Sequence, residues 1–550
     1  MTNPYIAAAS WRALLLGALS AAASSPAAAQ TALHVLPGTF PEDRHGWSVA
    51  GPGDIDGDGH ADILVGAYHD DSPTVETCGS VKLYSGLDGL LLHVFYEDEV
   101  SLLGMSVHGA GDVDADGTPD LIAGIPTVGG VESGCARVWS GATFAPLYTF
   151  DGDSAADRFG HSVGSAGDVD GDGHADLIVG APWEDAAGND AGMARVLSGQ
   201  DGAPLYTFYG AAAEARLGWS VSGAADVDGD GYDDVIVGAA AGGGFTGAAF
   251  VHSGQTGAVL HAFTGAAVLD WFGYSVSGAG DVDGDGRPDL IVGAWGDDTH
   301  GTDAGAAFVH SGADGALLHD WHGADADDRF GWSVSGAGDL DLDGLADLVV
   351  GALHDDGSFA DAGSASAFSG AAGAPLFVAQ GVEDNASFGR SVSDAGDTDA
   401  DGVPDIVVGA YFEEGVLIGS ATIVSGLPLP WMQLGQGLAG TNGVPVLSAV
   451  GTLAGGSPIT LRVTGALENA PALLVAGSGL LQVPFKGGVL VPEPDVLLPL
   501  ATGPDGQLVL AAVWPGGVPP AITAWLQTWI VDDGGPAGFS ASNALSAATP

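Results

Sequence analysis

One nine-residue pattern, Asp-x-Asp-x-Asp-Gly-x-x-Asp, recurs seven times, opening at Asp54, Asp112, Asp168, Asp226, Asp281, Asp339 and Asp397. The steps between openings are 58, 56, 58, 55, 58 and 58 residues. So regular a period restricts the chain to a repeat architecture, in which each unit buries its apolar face against its neighbours.

The pattern carries its own chemistry. Hard divalent cations take oxygen ligands, and Ca²⁺ takes six to eight of them in a flexible shell. Positions 1, 3, 5 and 9 are Asp in every copy, position 7 offers its backbone carbonyl, and Gly at position 6 permits the sharp turn. The expected ligands are Asp54, Asp56, Asp58, His60 and Asp62 in the first loop, and Asp112, Asp114, Asp116, Thr118 and Asp120 in the second. Asp168, Asp170, Asp172, His174 and Asp176 follow, then Asp226, Asp228, Asp230, Tyr232 and Asp234. The last three sets are Asp281, Asp283, Asp285, Arg287 and Asp289; Asp339, Asp341, Asp343, Leu345 and Asp347; and Asp397, Asp399, Asp401, Val403 and Asp405. Four carboxylates so close repel one another, and a cation resolves the conflict. An Asp-Gly surface turn without metal is the plainer reading of a single copy, but it does not account for seven.

An EF-hand loop begins the same way but needs an acid at position 12 and flanking helices. Here position 12 is Val65, Ala123, Val179, Val237, Val292, Val350 and Val408, each inside a short apolar run that reads as a β-strand. Within a repeat the order of signals is constant. A Phe-Gly element such as Phe159-Gly160, Phe272-Gly273, Phe330-Gly331 or Phe388-Gly389 opens a short strand, and the acidic loop follows. Next come an apolar strand ending Gly-Ala, a third strand ending Ser-Gly, and a fourth like Pro204 to Phe208. Four strands per unit, repeated radially, make a β-propeller. The seventh unit runs from Ser425-Gly426 into a proline-bearing linker and lacks a fourth strand, whereas Ala32 to Gly38 has fourth-strand character and precedes the first unit. The N-terminal strand is therefore expected to complete the last blade, giving an all-β fold of seven four-stranded blades with no exposed edge.

Phe-Gly, the acidic loop and Gly-Ala-Pro, recurring in that order, are the marks of FG-GAP repeats, and residues 31–427 resemble the seven-bladed propeller of integrin α-subunits. That resemblance implies cation loops joining the first and second strands of each blade on one face, and partners docking on the opposite face. The family usually keeps the cation loop in only some blades, and His45-Gly46 and Gly124-Ile125-Pro126 depart from the motif.

Outside the array, Arg12, the apolar run Ala13 to Ala23 and Ala27-Ala28-Ala29 read as a secretory signal over residues 1–29, cleaved before Gln30. The run is too short to span a bilayer. The expected division is a leader, a propeller over 30–427 and a β-sandwich over 428–550. In the last, strand-like segments (458–463, 470–475, 507–513, 524–531) alternate with Gly, Pro and Asn-Gly turns. This region resembles terminal modules of secreted planctomycete-type proteins. A formal charge of −58, which seven divalent ions would bring to −44, repels nucleic acid and anionic membranes.

Other features compete for chemistry. Gly160-His161-Ser162-Val163-Gly164 fits a hydrolase nucleophile pattern, but the same serine recurs as Ser48, Ser106, Ser220, Ser275, Ser333 and Ser391, which marks a packing position. His93, His261 and His319 fall in fourth strands and read as rim packing, and Trp47, Trp219 and Trp332 share one position and read as blade-to-blade packing. Paired acids after the second strands (Asp70-Asp71, Glu184-Asp185, Asp297-Asp298, Asp355-Asp356, Glu413-Glu414) read as a solvated rim or as a cationic-ligand surface. Cys78 and Cys135 sit at nearly equivalent places in adjacent units, and a disulfide between them is left open.

These readings converge on a secreted or cell-surface, monomeric calcium-binding scaffold for an extracellular protein or glycan, with up to seven Ca²⁺ and no catalytic residues. The alternatives are a polysaccharide lyase or hydrolase, or a lectin.

Overall fold

The computed structural model describes residues 28–426 apart from 30, 31, 41, 358 and 413–417, and discontinuous segments between 432 and 548. One compact unit spans Ala27–Leu427 and a second includes Pro428–Pro550.

In blade 1 the strands are Ser48–Gly53, Asp62–Ala67, Ser80–Tyr84 and Leu91–Tyr96, hydrogen-bonded antiparallel in chain order. Blades 2 to 6 repeat this order. Every second strand, from Asp62–Ala67 to Asp405–Ala410, is buried along its whole length, so its Val/Ile/Leu-rich run has no polar face. In blade 7, Ser391–Gly396, Asp405–Ala410 and Ser420–Val424 are joined by the N-terminal strand Ala32–Pro37, in register from Ala32 opposite Val424 to Pro37 opposite Ser420. The ring is closed as the sequence predicts. A two-residue strand, Ala28–Ala29, runs parallel to the outer edge of blade 6.

The first strands line the axis, each beside the next, with Ser391–Gly396 returning to Ser48–Gly53. Close backbone approach explains the two glycine motifs. A Cβ on Gly180, of the Gly-Ala element of blade 3, would lie 2.0 Å from the carbonyl oxygen of Gly218, of the Phe-Gly-type element of blade 4. The same contact closes the ring between Gly409 and Gly46, at 2.0 Å. The degenerate elements thus keep the glycine that matters, while buried His45, Leu103 and Leu217 stand where other blades have phenylalanine. The recurring serine also works between blades. Ser162 Oγ accepts the Val221 amide at 3.1 Å and Ser391 Oγ accepts the Val49 amide at 3.2 Å. Ser162 lies on a first strand, not on a strand-to-helix elbow, so its hydroxyl serves packing.

In the second unit the described strands form a five-stranded, a three-stranded and a two-stranded sheet. Leu461 and Val463 of the three-stranded sheet share one core with Leu474, Leu526 and Ile530 of the five-stranded sheet, which makes a β-sandwich.

Candidate metal centre

The acidic pattern connects the first and second strands of every blade, so all seven loops lie on one face. Their backbone follows one plan. Position 6 glycine has positive φ throughout, from +87° at Gly286 to +95° at Gly344. Position 4 is also left-handed, at Gly57, Gly171, Gly229 and Gly284, and equally at Ala115, Leu342 and Ala400 (φ 57°, 58° and 56°). This second requirement was written in the sequence only where glycine happens to stand.

Within a loop the carboxylates are fixed by backbone amides. In the third loop Asp168 Oδ2 accepts the Gly173 amide at 3.0 Å, Asp170 Oδ1 accepts that of Asp172 at 3.2 Å, and Asp172 Oδ1 accepts that of His174 at 2.9 Å. The equivalent bonds recur from Asp54 to Val403. Positions 3 and 5 thereby keep their other oxygen outside these bonds. Carboxylate oxygens of Asp54, Asp56 and Asp58 lie within 4.8 Å of one another, as do those of Asp168, Asp170 and Asp176, and the loops opening at Asp112, Asp226 and Asp281 hold such a group too. The donor set is all oxygen and several-fold anionic, which suits a hard divalent cation and not a soft one.

Position 9 differs from the rest. Asp62, Asp120, Asp176, Asp234, Asp289, Asp347 and Asp405 are buried, whereas most carboxylates at positions 1, 3 and 5 are at least partly exposed. Asp176 Oδ2 accepts the amide of Val169, and its Oδ1 accepts that of Gly199 at 2.8 Å, in the turn after the third strand. Every blade repeats this pin, through Gly86, Gly141, Gly254, Gly312, Gly370 and Gly426. The Ser-Gly motif is therefore the socket for the loop's last aspartate. The sequence alone reads the aspartate as part of a cation loop and Ser-Gly as the end of the third strand, and does not join them. Burial lifts these carboxyls, first by desolvation and then by neighbouring acids, to about 6 at Asp176, about 7 at Asp347 and about 8 at Asp405. A bound cation would favour the ionised form and reverse that shift.

Position 7 does more than present a carbonyl. His60 Nδ1 meets the Thr398 carbonyl at 2.8 Å, His174 Nδ1 that of Val113 at 2.8 Å, and Arg287 Nη1 donates to Val227 O at 2.9 Å. Each tie reaches position 2 of the preceding blade's loop, so three of the seven seams between neighbouring loops carry a side-chain tie.

On the opposite face the paired acids mostly serve their own loops. Asp70 is buried, accepts Ser80 Oγ at 2.6 Å and pairs with Lys82 Nζ at 2.8 Å. Asp185, Asp298 and Asp356 each accept an amide five residues on. Glu413-Glu414 lies outside the described residues. Cys78 and Cys135 are buried and free, so the disulfide left open by the sequence is absent. His261 and His319 reach Gly312 O and Gly370 O of the next blade, both at 2.6 Å, which is the packing role expected of them. Trp47, Trp219 and Trp332 also pack across blades, as Trp47 on Tyr411 at 5.3 Å between ring centroids, yet all three remain half-buried.

The fold and these loops define a class, a closed seven-bladed propeller with one acidic loop in every blade. A family model described as FG-GAP repeat matches residues 45–81, 159–197, 217–259 and 272–310. The chain carries FG-GAP repeats, and curated relatives of it are integrin α-subunits. It is 35% identical over 235 residues to integrin alpha-5 of Xenopus laevis, covering 40% of this chain and 22% of that one. To integrin alpha-V of Gallus gallus it is 33% identical over 215 residues, covering 36% and 20%. The chain spans about a fifth of the length of these relatives. Among solved structures, one titled "Structure of Dos1 propeller" aligns with a TM-score of 0.41 at 10% identity, covering 71% of this chain and 96% of that one.

Proposed function

We propose that this protein is an extracellular binding or adhesion scaffold whose propeller takes up to seven Ca²⁺, one in each acidic loop, and presents its opposite face to a protein or glycan partner. The observation that carries the reading is the sevenfold repetition of one carboxylate set, with the same amide bonds each time. Positions 1, 3, 5 and 9 would hold the ion with the position 7 carbonyl, and its charge would offset four converging carboxylates. The similarity to integrin α-subunits supports a binding role over a catalytic one. The leader-like residues 1–29 support export of a chain that acts as a monomer, with 30–427 as the propeller and 428–550 as an accessory sandwich. No helix among the described residues is long and apolar enough to cross a membrane.

Calorimetric titration of the purified chain with Ca²⁺, paired with thermal melts in calcium and in chelator, tests the proposal. About seven sites and a large fall in Tm on chelation are expected, since an ion that binds only the native state stabilises it. Few sites and an unchanged melt would remove calcium from the account.

A further inference from the structure

The face opposite the loops carries the paired acids, yet a few of its arginines stand apart from any described carboxylate. Among the described propeller residues, Lys82, Arg137, Arg158 and Arg195 pair with Asp70, Glu97, Glu132 and Asp153. Arg287 belongs to the loop face. The remaining four, Arg44, Arg216, Arg329 and Arg390, have no described carboxylate within ion-pair distance, and all four lie over tryptophan rings. Arg390 Cζ is 3.9 Å from the Trp47 ring centroid and 5.4 Å from that of Trp332, and Arg329 Cζ is 5.3 Å from that of Trp295. The rings continue around the axis, as Trp332 to Tyr274 at 4.8 Å and Tyr274 to Trp219 at 5.5 Å.

Stacking satisfies the face of a guanidinium but leaves its in-plane N–H groups available. The unpartnered atoms here are donors. Nε of Arg329, the indole Nε1 of Trp295 and that of Trp332 are buried with no hydrogen-bond acceptor. Three orphan donors in one mutually contacting cluster, beside the unpaired Arg390, call for a group that only accepts, and a carboxylate is such a group. The indoles are half-buried, so their exposed surface offers an apolar plane to a ring-shaped ligand. A peptide carboxylate brings no ring to that plane, whereas a uronic acid brings ring and carboxylate together. The arc also breaks the sevenfold symmetry, since Met105 stands in blade 2 where other blades have Trp, Tyr, His or Arg. Packing alone does not require such variation.

We infer that the mouth of the propeller opposite the acidic loops binds a short saccharide bearing a carboxylate, its sugar ring on Trp332 and Trp295 and its carboxylate on Arg329 and Arg390. The inference rests on the scaffold reading and names its ligand chemistry.

The test uses the full chain in excess calcium and three probes: a glucuronic acid tetramer, the same tetramer with its carboxyls reduced to alcohols, and an acidic hexapeptide. Binding is read by calorimetry and tryptophan fluorescence. The uronate is expected to bind and quench, with the neutral tetramer at least tenfold weaker. Arg390→Gln and Arg329→Gln should each weaken the uronate at least tenfold with an unchanged calcium-loaded melt, and Arg390→Lys should restore part of the loss. No uronate binding, equal binding of the neutral tetramer, equal binding by both glutamine variants, or binding of the peptide alone would each overturn the inference. Seven calcium sites without uronate binding would remove only the ligand assignment. Absent calcium binding would sink the scaffold reading, whatever the sugars do.

Discussion

The two faces of the propeller are built from the same seven repeats and follow opposite rules. On the loop face each blade does the same thing with the same atoms, down to the amide bonds of positions 3, 5 and 9. On the other face equivalent positions carry Trp47, Met105, His161, Trp219, Tyr274, Trp332 and Arg390, so no two neighbouring blades present the same group. Identity in every blade is what a folding element needs, because a ring is only as closed as its weakest blade. Variation among equivalent positions is what recognition needs.

The sharpest way to break this contrast is to remove calcium. If the loop face is a folding element, chelation should lower the Tm of the whole propeller, since each site held at a hundredfold excess over its Kd contributes about 2.7 kcal/mol. Scanning calorimetry in calcium and in chelator would measure it. A melt that moves by only a degree or two would mean that the amide network alone holds the loops.

Within one loop, position 9 and position 5 should separate. Asp176→Ala strands the buried amides of Val169 and Gly199. It should destabilise the chain even in chelator, at roughly 1–3 kcal/mol for each orphaned amide. Asp172→Asn removes an exposed charge that repels its neighbours, so in chelator it should be neutral or mildly stabilising while abolishing one calcium site. Paired urea titrations with and without calcium would show whether the two substitutions diverge in this way.

Acid tests a third link, the seam between blades 7 and 1. Buried His45 takes the place of a Phe-Gly phenylalanine, and burial depresses its pKa from 6.5 to about 3. Between those values the unfolded chain binds the proton and the folded chain does not, so stability rises with pH across the window and is lost as pH falls. His45→Phe should flatten that slope, leaving the variant more stable than the wild type by on the order of 2 kcal/mol near pH 4.5. Equal slopes would show that His45 is not the group that titrates. Asp43, raised to about 6 mainly by burial, contributes the opposite sign and is unchanged between the two proteins.

Much of this was legible in the chain. The period gave the blades and the aspartate spacing gave the loops, because each is a local pattern repeated seven times, and the missing fourth strand at one end with the surplus one at the other gave the closure. Three things were not. The pin from Asp176 to Gly199 joins residues 23 apart, and nothing in either motif names the other. The lacing of His174 to Val113 depends on which blade lies alongside. In the arginine and tryptophan arc the repeat marks Trp47, Trp219 and Trp332 as equivalent, but the stacking of Arg390 on Trp47 depends on ring closure, which no local pattern shows.

The smallest effect concerns the backbone of the loops. Position 4 is left-handed in all seven, and in four of them it is glycine, which pays no steric cost there. Leu342 holds the same conformation at φ 58° with its side chain partly exposed, so it gains little from packing and carries the strain of the left-handed region. Leu342→Gly should therefore stabilise the chain by about 0.5–1 kcal/mol, the relief of that strain less the entropy of a freer unfolded chain. Because position 4 supplies no carboxylate, calcium stoichiometry should not change. The gain should be equal in calcium and in chelator if the loop keeps one backbone in both. A gain seen only in chelator would mean instead that the ion sets the left-handed turn, and that the loop face is shaped by its metal more than by its amides.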